Sequence, residues 1–537
     1  MEQTTQEKLN TAVNPSEDLI LKVTDLNIAF HDHSLPETVV VDVDLQVKEG
    51  DMIGIVGESG SGKTMTALAI NGLLNRHDIQ KKGEILYKGI NLLTCSRTKL
   101  RQVQGNDISM IFQEPMTSLD PVQRIGKQVE EPLRLHEKLT EEEYKARAVE
   151  ALGLVELPDP EEIYNRYPHE LSGGQRQRVM IAAAMICKPR ILIADEPTTA
   201  LDVTIQEQIV KLLKKLNQTE KTAILFISHD LSLVRKLCPK VAVMKDGYVV
   251  ETGETEAIFR NPQHPYTKEL IAAIPEIGVK QYEKKSDEII VSARDLNSYY
   301  PARNGKLFGK KKKVHILKDV SFDLYKGEIL GLVGESGCGK STLSKVLLGM
   351  VKDIDGSFTN QDLHPQMVFQ DPYGSLNPGK KIGWILQEPL KNFTNLAENI
   401  REEKAVTMLQ KVGLSAELMD RYPNQLSGGQ RQRVCIAAAL MAEPGFLIAD
   451  EPVSALDVHI QEQVLTLLKE LHDQIGVSIL FISHDLRVVY RVCDRVMIMK
   501  EGRIVESGIT DEVFLHPKEE YTRELLRTSG FLGKNIV

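Results

Sequence analysis

The sequence predicts an α/β protein built from two tandem copies of one unit. Each copy is read as a mostly parallel sheet core with a small antiparallel β layer and a helical subdomain. Three observations predict this. A long internal repeat relates the two halves of the 537-residue chain. Apolar, β-rich runs at residues 52–56, 191–194 and 223–227 alternate with helical patterns, as in a parallel sheet covered on both faces. In both halves a glycine-rich turn joins an apolar strand to a helix.

The repeat is exact enough to be measured. Lys63 recurs as Lys340, an offset of 277, while Leu171 recurs as Leu426, Asp195 as Asp450 and His229 as His484, all at an offset of 255. A constant offset over that span means one shared fold there, residue for residue. Between the lysine and the Phe-Gln pairs, Phe112-Gln113 and Phe369-Gln370, the second half is 20 residues shorter. The first half carries Gly83-Glu-Ile-Leu-Tyr-Lys-Gly89 there, read as strands and turns of a small sheet, and only residues 356–359 remain in the second. Four lysines at 310–313 read as a solvated loop. Residues 19–275 and 289–526 are taken as the two domains, with a polar linker at 276–288. Between the glutamine and the later Leu-Ser-Gly-Gly-Gln run, Thr140-Glu-Glu-Glu143 forms a capping box. Tyr144, Ala148, Leu152 and Val155 follow at helical spacing.

Composition narrows the function. With 42% hydrophobic and 26% charged residues the chain is globular, and a net charge of −9 argues against a protein built to neutralise nucleic-acid phosphates. No apolar run approaches the roughly 18 residues of a membrane span; the longest, 179–187 and 434–442, are short and Ala-rich. Residues 1–18 lack the basic start and apolar centre of a signal peptide, so the chain is expected in the cytoplasm. Cys95, Cys187, Cys238, Cys338, Cys435 and Cys493 form no CxxC pair and read as small buried thiols.

The repeated residues carry a chemistry. Gly57, Glu58, Ser59, Gly60, Ser61, Gly62, Lys63 and Thr64 fit GxxxxGK(S/T), as do Gly334, Glu335, Ser336, Gly337, Cys338, Gly339, Lys340 and Ser341. Glycines let backbone N–H groups converge on phosphate oxygens, the lysine reaches the β and γ phosphates, and Thr64 or Ser341 offers an oxygen to Mg²⁺. The runs 191–196 and 446–451 are apolar strands ending in two acids, which places them at the ligand-binding edge of a parallel sheet. Asp195 and Asp450 are assigned to the metal, Glu196 and Glu451 to the attacking water. Gln113 and Gln370 are read as bridging a metal-bound water and the γ-phosphate, and His229 and His484 as contacts to the terminal phosphate. Ser172, Gly173, Gly174 and Gln175, with Ser427, Gly428, Gly429 and Gln430, read as an anion-facing helix start.

Cradle, Phe-Gln loop, Leu-Ser-Gly-Gly-Gln, apolar-Asp-Glu, the runs 199–202 and 454–457, and Ser-His, in this order, resemble the ATP-binding cassette of ABC transporters, P-loop NTPases. The resemblance spans residues 19–526. It implies that two cassettes sandwich two ATP molecules head to tail. Site one would join Lys63, Thr64, Gln113, Asp195, Glu196 and His229 to Ser427, Gly428, Gly429 and Gln430; site two reverses the halves. Phe30 and Tyr300 fall where the family stacks adenine. Val-Gly-Glu-Ser-Gly, residues 369–378 and the tail Asn261-Pro-Gln-His264-Pro-Tyr-Thr267 resemble the dipeptide, oligopeptide, nickel and glutathione-type importers. The family implies ATP and Mg²⁺, two membrane-embedded permease subunits, a periplasmic or extracellular solute-binding protein and a peripheral position on the cytoplasmic face of the inner membrane. No iron-sulfur centre and no nucleic acid are expected. The competing expectations are a soluble two-cassette ATPase acting on ribosomes or nucleic acid, and an energising subunit for a metal or vitamin importer or an exporter.

Overall fold

The computed structural model describes residues 19–31, 37–58, 60–113, 118–199, 201, 203–272, 286–301, 313–362, 364–453, 456, 458–529 and 531. The chain forms two compact units. One holds the described residues up to Thr199 together with Gln208–Ile271. The other holds Ala272 and the residues described from 286 onward, together with the described residues of Ala200–Glu207. Most of the expected linker, residues 276–285, lies outside the described residues.

In the first unit the core is a six-stranded sheet in the order Tyr248–Glu254, Lys240–Lys245, Met52–Val56, Ala223–Ile227, Ile191–Asp195 and Ile108–Ile111. All its pairings are parallel except that of the Tyr248–Glu254 edge. Every residue of Met52–Val56, Ile191–Asp195 and Ala223–Ile227 is buried, which explains their unbroken apolar character. The second unit repeats the order with Arg503–Ile509, Arg495–Lys500, Ile329–Val333, Ser478–Ile482, Phe446–Asp450 and Gln366–Val368. The predicted α/β class holds in both halves.

A separate antiparallel layer accompanies each core. It has four strands in the first unit (Glu37–Lys48, Leu19–Phe30, Ile79–Tyr87, Ile90–Asn91) and three in the second (Lys313–Tyr325, Ile289–Pro301, Ile354–Asn360). The 20-residue deletion therefore removes one short strand and the helix Arg97–Val103, and leaves the layer standing. Lys310, Lys311 and Lys312 lie outside the described residues. Lys313 departs from the expected loop: it opens a strand and pairs with Asp353 at 2.7 Å. Gly83 is not a turn residue either, but sits inside Ile79–Tyr87 where the register against Leu19–Phe30 shifts. The extra residue of a bulge leaves no room for a side chain there.

The helical subdomain of the first unit comprises Ile125–His136, Glu141–Leu154, Pro160–Asn165 and Gly173–Met185. The Thr140 capping box forms as read, and Tyr144, Ala148, Leu152 and Val155 are all buried. None of the six cysteines is in a disulfide; Cys95 and Cys187 are half-buried where full burial was expected. No helix among the described residues is long and apolar enough to cross a membrane.

The bulge glycines give the first test. Gly83 and its counterpart Gly356 have φ of 95° and 85°, and a Cβ on either would lie 2.2 Å from the carbonyl oxygen of Asp25 or Asp295. Backbone cannot yield as a flexible side chain would. Gly83→Ala and Gly356→Ala are each expected to destabilise the affected unit by about 2 kcal/mol, read as a lower thermal midpoint by calorimetry. Unchanged midpoints would contradict the bulge geometry.

Candidate functional site

The loop after Met52–Val56 delivers Lys63 to the first turn of the helix Lys63–Ile70. Lys63 is buried, and its ammonium is held by its own loop: Nζ donates to the carbonyls of Gly57 at 2.8 Å and Glu58 at 2.6 Å. Lys340 does the same, donating to Gly334 at 2.6 Å and Glu335 at 3.0 Å. The first loop adds the Ser61 hydroxyl at 3.4 Å, where the second has Cys338, whose thiol burial pushes up. Ser59 lies outside the described residues.

The strand Ile191–Asp195 ends at the same edge. Asp195 is almost wholly enclosed and accepts from the Thr64 hydroxyl at 3.3 Å. Burial pushes its carboxyl up to about 6, against the pull of that hydrogen bond. Asp450 is raised likewise, by burial and by the neighbouring Glu451 charge.

One residue later the chain turns. Glu196 and Glu451 have left-handed backbones, φ 46° and 48°, fixed by amides that donate to the Ile227 and Ile482 carbonyls at 2.9 Å. A left-handed non-glycine residue costs of order 1–3 kcal/mol and persists where its surroundings over-determine it. Here they do. The Glu196 carboxylate accepts from Gln113 Nε2 at 3.0 Å and Thr199 Oγ1 at 2.8 Å, and faces His229 Nδ1 at 3.2 Å. Glu451 accepts from Gln370 Nε2 at 2.8 Å and faces His484 Nδ1 at 3.2 Å. Burial alone would raise Glu196, but His229 and Thr199 outweigh it and hold the carboxyl at about 2. The imidazoles of His229 and His484 are raised, burial working against the charged ring and the facing glutamate prevailing.

Ser172 and Ser427 cap the helices Gly173–Met185 and Gly428–Leu440. In each, the serine Oγ accepts from the glutamine amide at 3.3 Å, while the Gln175 or Gln430 side-chain oxygen accepts from the serine N–H at 3.0 Å. The glutamine side chain thus completes a capping box, a local role that the sequence reading did not assign. Gly173, Gly174, Gly428 and Gly429 form the first turns.

Phe30 and Tyr300 are half-buried near the ends of antiparallel strands, pairing with Glu37 and Val314. The strand Glu37–Lys48 abuts the cradle: a Cβ on Gly62 would meet the Val39 carbonyl oxygen at 2.7 Å. Sequence reasoning missed Thr199 as a partner of Glu196. It also missed Tyr266 and Tyr521, whose hydroxyls accept from the loop amides of Glu58 at 2.9 Å and Glu335 at 3.4 Å. The shared offset of 255 between those tyrosines was the available signal.

A divalent cation fits this donor set. Among the described residues no group of three His, Cys, Asp or Glu side chains could hold a metal by itself. Mg²⁺, however, is usually held by one or two carboxylates with substrate phosphates and waters. The Thr64 hydroxyl against buried Asp195 supplies two hard oxygens, and the raised carboxyl is one that a cation would stabilise in its ionised form.

Comparisons with known proteins define the class. Residues 40–199 and 317–454, more than half of the chain, match the family described as ABC transporter. The chain belongs to that family: it is a protein of two ATP-binding cassettes. Residues 250–308 match the oligopeptide/dipeptide transporter C-terminal region. The glutathione import ATP-binding protein GsiA of Salmonella choleraesuis is 43% identical, covering 94% of this chain and 89% of that protein. The peptidoglycan transport ATP-binding protein YejF of Agrobacterium fabrum is also 43% identical, covering 94% and 96%. A solved complex of archaeal ribosomal stalk protein aP1 with the ribosome recycling factor aABCE1 matches 94% of this chain and 98% of that one. Its TM-score is 0.61 at 20% identity, a likeness of fold alone.

The Glu196–His229 pair predicts a pH window. Glu196, depressed from an ordinary 4.5 to about 2, contributes stability above 4.5 that is lost as pH falls through 2. His229, raised from an ordinary 6.5, contributes below 6.5 and loses its share as pH rises through its folded value. The pair therefore stabilises most between about pH 4.5 and 6.5. In Glu196→Gln, NMR titration is expected to show the His229 pKa falling. An unmoved imidazole would mean that the carboxylate is not its partner.

Proposed function

We propose that this chain is the ATPase subunit that energises import of peptides or a related small solute such as glutathione through a partner permease. The observation that carries the reading is 43% identity over nearly the whole chain to an ATP-binding protein of glutathione import. The match of residues 250–308 to an oligopeptide and dipeptide transporter region supports it. The partners are two membrane-embedded permease subunits and a solute-binding protein outside the membrane, with this chain peripheral on the cytoplasmic face. Exposed apolar side chains follow the glutamines, Val122 and Leu135 after Gln113, Tyr373 and Trp384 after Gln370. They suit contact with a permease.

Chemically, the phosphate chain of ATP replaces the loop carbonyls as the partner of Lys63 or Lys340, and the loop N–H groups bind its oxygens. Thr64 and Asp195, or Ser341 and Asp450, would hold Mg²⁺, which would supply neutralisation of phosphate charge. Glu196 holds the attacking water in line. A carboxyl with a pKa of about 2 is a weak base, so orientation by Gln113, Thr199 and His229 contributes more than proton affinity. Nδ1 of His229 faces the carboxylate, which leaves Nε2 for the terminal phosphate. Ser172 and Ser427, with their glycines, are assigned by family resemblance to completing the opposite cassette's site.

Glu196→Gln combined with Glu451→Gln is expected to keep ATP binding and lose turnover by about 100-fold or more, measured as phosphate release. Release at the native rate would refute the assignment. Uptake of labelled dipeptides, longer peptides, glutathione and nickel, in cells with and without the chain, tests the solute. An unchanged panel would remove the import reading while leaving the ATPase standing.

A further inference from the structure

Each cassette carries, at its C-terminal end, a short helix outside the constellation described above, Pro265–Ala272 in the first and Glu520–Thr528 in the second. Both are fastened the same way. The Glu251 carboxylate, on the edge strand Tyr248–Glu254, accepts from the consecutive amides of Gln263 and His264 at 2.9 and 3.1 Å. Glu506 accepts from Lys518 and Glu519 at 2.8 and 3.1 Å. Each helix then buries one tyrosine against the phosphate loop. Tyr266 and Tyr521 lie under Lys245 and Lys500, whose ammonium groups sit 4.6 and 4.7 Å from the ring centroids. Their hydroxyls accept the backbone N–H of Glu58 and Glu335, the second residue of each loop.

The placement is informative. Glu58 and Glu335 also give their carbonyls to Lys63 and Lys340, so one residue is tied to the tail through its N–H and to the ammonium through its C=O. Whatever moves the tail moves the group that holds the lysine. The C-terminal helix is therefore bonded to the same loop residue that holds the lysine.

We propose that Tyr266 and Tyr521 are positioning residues that set the phosphate loops for ATP, making the C-terminal region of each cassette a mechanical extension of its nucleotide site. This rests on the reading that the two loops hold the phosphates of ATP. A neutral hydrogen bond to a half-buried amide is worth about 1 kcal/mol, about five-fold in an equilibrium constant.

The test uses the full chain and Tyr266→Phe and Tyr521→Phe, which keep the ring and remove only the hydroxyl. Photolabelling with 8-azido-ATP at graded concentrations, followed by peptide mapping, reads the two loops separately. Tyr266→Phe is expected to raise half-saturation in the first half about five-fold, with KM for ATP rising and kcat falling less than two-fold. Tyr521→Phe, whose bond is the longer, is expected to act on the second half and more weakly. In parallel, ATP should alter amide hydrogen exchange of residues 265–272 in the native protein and lose that effect in Tyr266→Phe. A purely structural role would lower the nucleotide-free thermal midpoint and leave this ATP-dependent difference in place. Native half-saturation in both variants overturns the proposal, as does exchange in both tails that ignores ATP in the native chain. Lys63→Ala separates the premises: if it labels normally the loop reading fails, and if it loses label while Tyr266→Phe behaves as native, only the tail inference fails.

Discussion

A buried ammonium needs partners, and much of the site follows from that need. Lys63 and Lys340 are nearly inaccessible to water, and an unpaired charge in such a place is prohibitive. The loop turns two of its own carbonyls inward to each lysine, and the residue before each lysine has left-handed backbone: Gly62 at φ 96° and Gly339 at φ 114°. A β-carbon at Gly62 would also strike the Val39 carbonyl. Nucleotide phosphates are better partners for an ammonium than carbonyls. The loop carbonyls thus act as a substitute solvation shell for each ammonium.

The two adjacent acids show how one strand end yields two chemical states. In extended backbone Asp195 and Glu196 would point to opposite faces; the left-handed turn at Glu196 instead re-aims the second carboxyl toward Gln113, Thr199 and His229. Burial pushes both carboxyls up; Asp195, with one hydroxyl donor and the Glu196 charge beside it, stays up at about 6, while Glu196, with three donors, falls to about 2. Two carboxyls one residue apart are separated by their hydrogen-bond donors and by the charges beside them. Such a pair suits a division of labour between binding a cation and orienting a water.

Legibility in the sequence tracked the range of the interaction. Features set within a few residues were readable: the buried strands, the Thr140 and Ser172 caps, the glycine-rich loops and the paired acids. The duplication amplified them, since a motif seen twice at one offset is rarely accidental. Features set by distant chain were not. Gly83 looked like a turn because its bulge is defined by register against Leu19–Phe30. Lys313 looked like loop because its partner, Asp353, is forty residues away. Tyr266 drew notice only as part of a tail motif, since its contact with Glu58 spans 208 residues.

The two cassettes have diverged unevenly, and where they differ bears on what each is for. Around Glu196 and Glu451 they are nearly superimposable in their local numbers: φ 46° and 48°, glutamine contacts of 3.0 and 2.8 Å, histidine contacts of 3.2 Å in both. Around the phosphate loops they are not. The second cassette has one strand fewer in its antiparallel layer, Cys338 in place of Ser61, and a longer tyrosine contact, 3.4 against 2.9 Å. Each of these differences lies at the lysine-bearing loop or in the antiparallel layer, and none alters the glutamine and histidine contacts of Glu196 and Glu451. The physical asymmetry of the pair lies around the two lysine-bearing loops, with the glutamine and histidine contacts of Glu196 and Glu451 kept alike in both halves.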